Sequence, residues 1–313
     1  MSATKQRFVA ARDERLDRLV TAELDVSRSQ VQRLIERGCV SIDGAPCLRP
    51  GATIASGARI TVELPPSTDL DEDGAAVPLV VLFEDEETLV INKQPDLLVH
   101  PVAGRPSVSL MHAVRARYPE VRAIEQKRSG VVHRLDRDTS GVIAFAKSEA
   151  AREAMRDQWR SRDTLKLYLA LVAGRVEPAE GIIDAPIGVD PDDPRRRAVV
   201  ERGVRARSEY RVLEQYGDEA ALVRVCIVTG RTHQIRVHFQ AVGHPVIGDA
   251  VYGRPSELIA RQALHASRLG FRLASTGAWR EFEARLPEDM IDAIATLRER
   301  HGVEGPPLEE LIA

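Results

Sequence analysis

At 313 residues, 43% hydrophobic and 29% charged, the chain has the composition of a globular protein of about two domains. It is not that of a disordered tail, a collagen-like repeat or a disulfide-stapled miniprotein. Cys39, Cys47 and Cys226 form no C-x-x-C pair, no run nears the ~18 apolar residues of a membrane helix, and residues 1–18 are rich in charge, so reduced thiols, no structural zinc and a cytoplasmic location are expected. The net charge of −3 conceals seven arginines between Arg195 and Arg211, a local positive potential that a polyanion feels within about a Debye length.

In chain order, Leu16, Leu19, Val20 and Leu24 lie at helical spacing. A second helix is marked by Ser27 and Gln30 as a capping box, by the inner stripe Val31, Leu34 and Ile35, and by Gly38 as its stop. Val40 and Ile42 alternate with polar residues ahead of Asp43-Gly44, a hairpin-turn dipeptide, and Ile60, Val62 and Leu64 form a closing strand. The result is a small domain over residues 1–64 with Arg15, Arg18, Arg28, Arg33 and Arg37 on its helical part. Pro65-Pro66 and the acidic stretch after it predict a linker over 65–77, followed by a second domain over 78–313. There the patterns predict strands over 79–83, 88–92, 167–172, 208–213, 221–228 and 234–239, and a helix over 149–160. Strands mixed with helices without strict alternation favour an α+β sheet over a doubly wound fold.

The densest polar cluster, residues 133–141, lies between two apolar runs, as a loop at a sheet edge would. Asp136 has arginines on both sides, a setting that suits an ionised carboxylate acting as nucleophile or base. A self-bonded turn with surface ion pairs fits the same residues. A metal site at Asp136 and Asp138 fits worse, because the arginines would repel a cation, and no second carboxylate for a hydrolase pair is identifiable. A second cluster spans residues 230–238. As a strand it would present Gln234, Arg236 and His238 on one face, pointing positive charge into a cleft. On a third segment Lys166, Tyr168 and Ala170 would share a face, the tyrosine offering a flat ring for stacking or simply filling the core.

HRLDRDTSG at 133–141, LKLYLALV at 165–172, GRTHQIRVH at 230–238 and GHPVIGD at 243–249 together resemble the RluA-type family of pseudouridine synthases. SRSQVQRLIERGCVSIDG at 27–44 resembles the small RNA-binding domain first described in ribosomal protein S-four. The resemblance implies a mixed, mainly antiparallel sheet domain preceded by a small α/β RNA-binding domain. It also implies isomerisation of uridine to pseudouridine in structured RNA, large-subunit ribosomal RNA foremost and transfer RNA second, after the base has flipped out of its stack. By residue, Asp136 would bond covalently to the target nucleotide, Tyr168 would stack on the flipped uracil, and Arg236 would pair with Asp136. Arg134 would fill the vacated space, while Arg137, Arg231, Arg28, Arg33 and Arg37 would contact RNA. No cofactor and no metal are implied, and a monomer is expected. A non-catalytic RNA-binding assembly factor is the competing expectation. The sequence departs from the family where Asn92-Lys93 is followed by Gln94, Pro95 and Asp96, so no binding role is carried onto that loop.

Overall fold

A computed structural model describes residues 4–24, 28–64, 73–101, 107–124, 130–308 and 310. The chain divides into two units, Met1–Asp73 with Pro101–Ser107, and Gly74–His100 with Val108–Ala313. Of the expected linker, residues 65–72 lie outside the described residues, while the Val77 N–H closes a turn on the Gly74 carbonyl at 3.0 Å.

The first unit runs β1 (Thr4–Val9), β2 (Glu14–Arg15), α1 (Leu16–Leu24), α2 (Arg28–Glu36), β3 (Val40–Ile42), β4 (Ala45–Pro46), β5 (Thr53–Ile54) and β6 (Arg59–Leu64). The apolar positions spaced three and four apart turn inward: Leu16, Val20, Val31 and Ile35 are fully buried against Val40, Ile60 and Val62. Asp43 and Gly44 both take positive φ, 48° and 86°, as a two-residue hairpin turn demands, and close β3 on β4. Ser27, the expected helix cap, lies outside the described residues. Strand β1 was not legible, because Lys5 and Arg7 give it no apolar alternation, yet it pairs with β6 from Thr4↔Leu64 to Val9↔Arg59.

The second unit runs β7 (Val80–Glu84), β8 (Thr88–Lys93), α3 (Leu110–Arg117), β9 (Ser140–Ala146), α4 (Glu149–Ser161), β10 (Leu165–Ala173), β11 (Glu180–Asp184), β12 (Ile187–Val189), β13 (Arg197–Val199), β14 (Arg207–Tyr216), β15 (Ala220–Ile227), α5 (Gln234–Ala241), β16 (Leu264–Arg272), β17 (Trp279–Glu283) and α6 (Glu288–His301). Its main sheet has the order β11-β14-β15-β10-β16-β9-β8-β7, with β17 also on β16. All its pairings are antiparallel except β9 with β16, which run parallel at His265↔Ser140 and Ala266↔Gly141. This is the expected α+β, mainly antiparallel mixed sheet. Every residue of β9 is buried, because both faces of the sheet are covered. Ile143 and Phe145 join a cluster containing Leu110 and Val114 of α3 and Met290, Ile294 and Leu297 of α6. Val142, Ala144 and Ala146 face the other way, toward Ala151 and Met155 of α4. Gly141 sits at φ +114°, and a Cβ there would overlap the Ala266 carbonyl, so only glycine lets the parallel pair close.

One predicted element is corrected. Residues 234–239 form the start of helix α5, not a strand. All six are buried, so the polar residues that alternate in sequence do not mark a wet face.

Candidate active site

The 133–139 segment leaves a bridge at Val131↔Phe145 and enters β9 as an irregular loop, which side chains from elsewhere grip by its carbonyls. Lys93, 1% exposed, donates to the carbonyls of Gln94 at 2.7 Å, Leu97 at 2.9 Å and Arg137 at 2.9 Å. Arg261 Nη1 donates to the Asp138 carbonyl at 2.8 Å while its other nitrogens hold Asp289. Burial pulls the Lys93 ammonium down to about 7 against the nearby carboxylates of Asp138, Asp136 and Asp96. Lys93 is thus a structural clasp, a role that its place beside the atypical 94–96 loop did not reveal.

Asp136 lies in this loop with its side chain 16% exposed. Its Oδ2 accepts from Arg236 Nη1 at 3.0 Å, a contact across 100 residues. Arg236 comes from α5, not from a sheet strand, and its remaining nitrogens fork onto Asp249, with Nε to Oδ2 at 2.6 Å and Nη2 to Oδ1 at 2.9 Å. Asp249 is fully buried and also accepts the N–H groups of Val251 at 2.9 Å and Tyr252 at 3.1 Å. Burial would raise the Asp249 carboxyl, but these bonds and the guanidinium hold it below its ordinary value. Burial likewise opposes the Arg236 charge, and the two carboxylates outweigh it. The guanidinium also lies 5.0 Å from the centre of the Tyr252 ring, at cation–π distance.

His233 occupies the N-cap of α5 in a left-handed conformation, φ 59°. Its Nδ1 lies 2.8 Å from the Tyr252 hydroxyl, which accepts the Arg197 N–H at 2.9 Å. The hydroxyl proton is then available to Nδ1, which leaves Nε2–H facing Asp136 Oδ1 at 3.9 Å. Burial pushes the His233 imidazole below its ordinary value, with the Asp136 charge opposing.

Asp136, Tyr168, Arg134, Arg231, His233 and Arg236 all line one cavity of about 770 Å³. Tyr168 is 9% exposed, and burial first and the Asp136 charge second push its phenol well above the ordinary value, so the ring meets the cavity as a neutral phenol. Arg134 and Arg231 are exposed at the wall, and Arg231 Nε donates to the Arg205 carbonyl at 3.2 Å. Arg137 is not part of that wall. It turns to Asp96, 2.5 Å away. In the first unit Arg37 is exposed, whereas the side chains of Arg28 and Arg33 lie outside what the structure describes. Asp249, His233 and Tyr252 were missed as partners of the cluster, although GHPVIGD contains the first and GRTHQIRVH the second. Among the described residues no group of three His, Cys, Asp or Glu side chains is placed to hold a metal ion.

A half-buried carboxylate gripped by a guanidinium, beside an aromatic ring in an arginine-rimmed cavity, can hold a planar base and attack it or its sugar. Comparison with known proteins gives the same direction. The family model described as RNA pseudouridylate synthase matches residues 87–241, and the S4 domain model matches residues 14–60. The chain is 45% identical over 290 residues to an uncharacterized RNA pseudouridine synthase of Chloroflexus aurantiacus, covering 92% of this chain and 91% of that one. It is 38% identical to one from Bacillus subtilis, over 92% and 95% of the two chains. It is 37% identical to the ribosomal large subunit pseudouridine synthase D of Nitrosomonas europaea, over 87% and 80%. Among solved structures, human RNA pseudouridylate synthase domain containing 1 superposes with a TM-score of 0.56 at 25% identity, over 74% of this chain and 97% of that one.

Proposed function

Because the chain belongs to the RNA pseudouridine synthase family, with an S4 domain at its N-terminal end, we propose that it isomerises uridine in large-subunit ribosomal RNA with Asp136 as nucleophile. The RNA class rests on the name of the relative from Nitrosomonas europaea. The observation that carries the catalytic assignment is the Asp136–Arg236 contact of 3.0 Å in the cavity that Tyr168 also lines.

In this reading the target nucleotide leaves its helix at a cost of a few kcal/mol. Stacking of the base on Tyr168 returns roughly 1 to 3 kcal/mol, and Arg134 occupies the gap left in the RNA. Asp136 Oδ1, the oxygen that Arg236 does not bond, forms the covalent bond to the nucleotide that frees the base from its sugar. The base turns and rejoins the ribose through C5, the bond to Asp136 breaks, the C5 proton passes to water and N1 takes up a proton. Arg236 holds the second oxygen throughout and is itself held by Asp249. Arg231 contributes phosphate contacts at the rim, and Arg28, Arg33 and Arg37 contribute theirs from the S4 domain. We assign no metal and no cofactor to the reaction, and we take the working unit to be the monomer.

Unmodified large-subunit ribosomal RNA tritiated at C5 of its uridines should release label to water on incubation with the protein. Asp136→Asn should abolish release while RNA binding persists. Release at an unchanged rate in that variant would remove Asp136 from the mechanism, and absence of release from the wild type would favour the non-catalytic assembly factor.

A further inference from the structure

Among the described residues, two lysines of the second unit are buried, and they are treated differently. Lys93 spends its three protons on three carbonyls. Lys166, on β10 two residues before Tyr168, is 7% exposed, and among the described residues no carboxylate pairs with it and no acceptor receives a bond from its ammonium. It lines the same cavity as Asp136 and Tyr168. A neighbouring guanidinium makes matters worse. Arg162, the left-handed C-cap of α4, also lines the cavity and repels it. Burial lowers the Lys166 ammonium below its ordinary value, Cys226 opposes this, and Arg162 adds to it. By contrast, Arg156 and Arg160 on the same wall are neutralised by Glu153 at 2.8 Å and Asp157 at 3.0 Å. A buried, unpaired cation is costly to fold around, and the one carboxylate on this cavity wall, Asp136, is engaged by Arg236 and not by Lys166.

We propose that Lys166, with Arg162 at the rim, is a phosphodiester subsite that takes a backbone phosphate of the RNA strand beside the everted uridine. This rests on the pseudouridine synthase reading and extends it. The only anions in RNA are its phosphates, and the two residues share one face of β10 with Cα atoms roughly 7 Å apart, so that base and backbone are held by neighbouring side chains of one strand.

The test is equilibrium binding of an unmodified large-subunit ribosomal RNA transcript across a salt titration, in an Asp136→Asn background so that chemistry plays no part. Lys166→Gln should weaken binding at low salt and flatten the slope of log K against log salt by roughly 0.7 to 0.9, one phosphate contact. Lys166→Arg should restore the slope. Thermal unfolding supplies a readout that a structural lysine would move the other way: Lys166→Met should melt higher than the parent, because it removes an uncompensated charge. An unchanged slope in Lys166→Gln, or a lower melting temperature in Lys166→Met, overturns the subsite. Tritium release by the protein with Asp136 intact is scored separately, so failure of the isomerase reading and failure of the subsite give different results.

Discussion

Arg236 is shared by two carboxylates with different tasks. Asp249 takes two of its nitrogens in a fully buried fork, and Asp136 takes the third where the cavity begins. Asp249→Asn should therefore cost far more than a surface ion pair, about 3 to 5 kcal/mol, since it leaves a buried guanidinium under-compensated. Urea denaturation followed by circular dichroism measures this, and pseudouridylation should fall further than stability does because Arg236 loses its aim. Asp136, Tyr168 and Arg236 were legible from short motifs in which charge and aromatic character are concentrated. Asp249 was not legible as a partner, because the fork depends on how the chain after α5 folds back, and nothing in a linear spacing encodes that return. Arg137 shows the converse: it sits inside the strongest motif yet turns away to Asp96.

Among the elements, β8, β9 and β10 were visible in the sequence as apolar runs because their central residues are buried on both faces. Helix α5 was misread for the opposite reason. Gln234, Arg236 and His238 are polar, but each is bonded to a partner brought in from elsewhere: Gln234 to Thr229 and Ser208, Arg236 to Asp249, His238 to Ser208 and the Ala185 carbonyl. Alternation reports a strand only when polar means solvent-facing, and here it does not. At the β9–β16 seam, Gly141→Ala combines a positive φ with overlap on the Ala266 carbonyl. It should destabilise by more than the 1 to 3 kcal/mol of backbone strain alone, seen as a large drop in urea midpoint. An unchanged midpoint would mean that the parallel pair has room to spare.

For the whole molecule, buried histidines make stability depend on acid, His133 and His265 most strongly. Burial lowers His133 to about 3 and His265 to about 4 from an ordinary 6.5. His133 accepts the Ala144 N–H at 3.0 Å, and His265 bridges Ser140 at 2.9 Å and the Ala284 carbonyl at 3.1 Å. Both are neutral when folded and protonate more readily when unfolded. Their stabilisation is therefore complete above pH 6.5 and is lost as pH falls from there toward about 3. The urea midpoint should decline across that window, and His133→Gln should make the decline shallower. An identical pH profile for the variant would show that the carboxylates alone govern acid unfolding.

The Ser140–His265 bond spans 125 residues, and although β8 covers one edge of β9, the strand on its other edge, β16, is not reached until Leu264. A nascent chain emerging from the ribosome therefore has only half a seat for the nucleophile loop, Lys93 and β8, until Arg236, Arg261 and β16 have been synthesised. The catalytic centre is completed late, after its earliest segments have long been waiting.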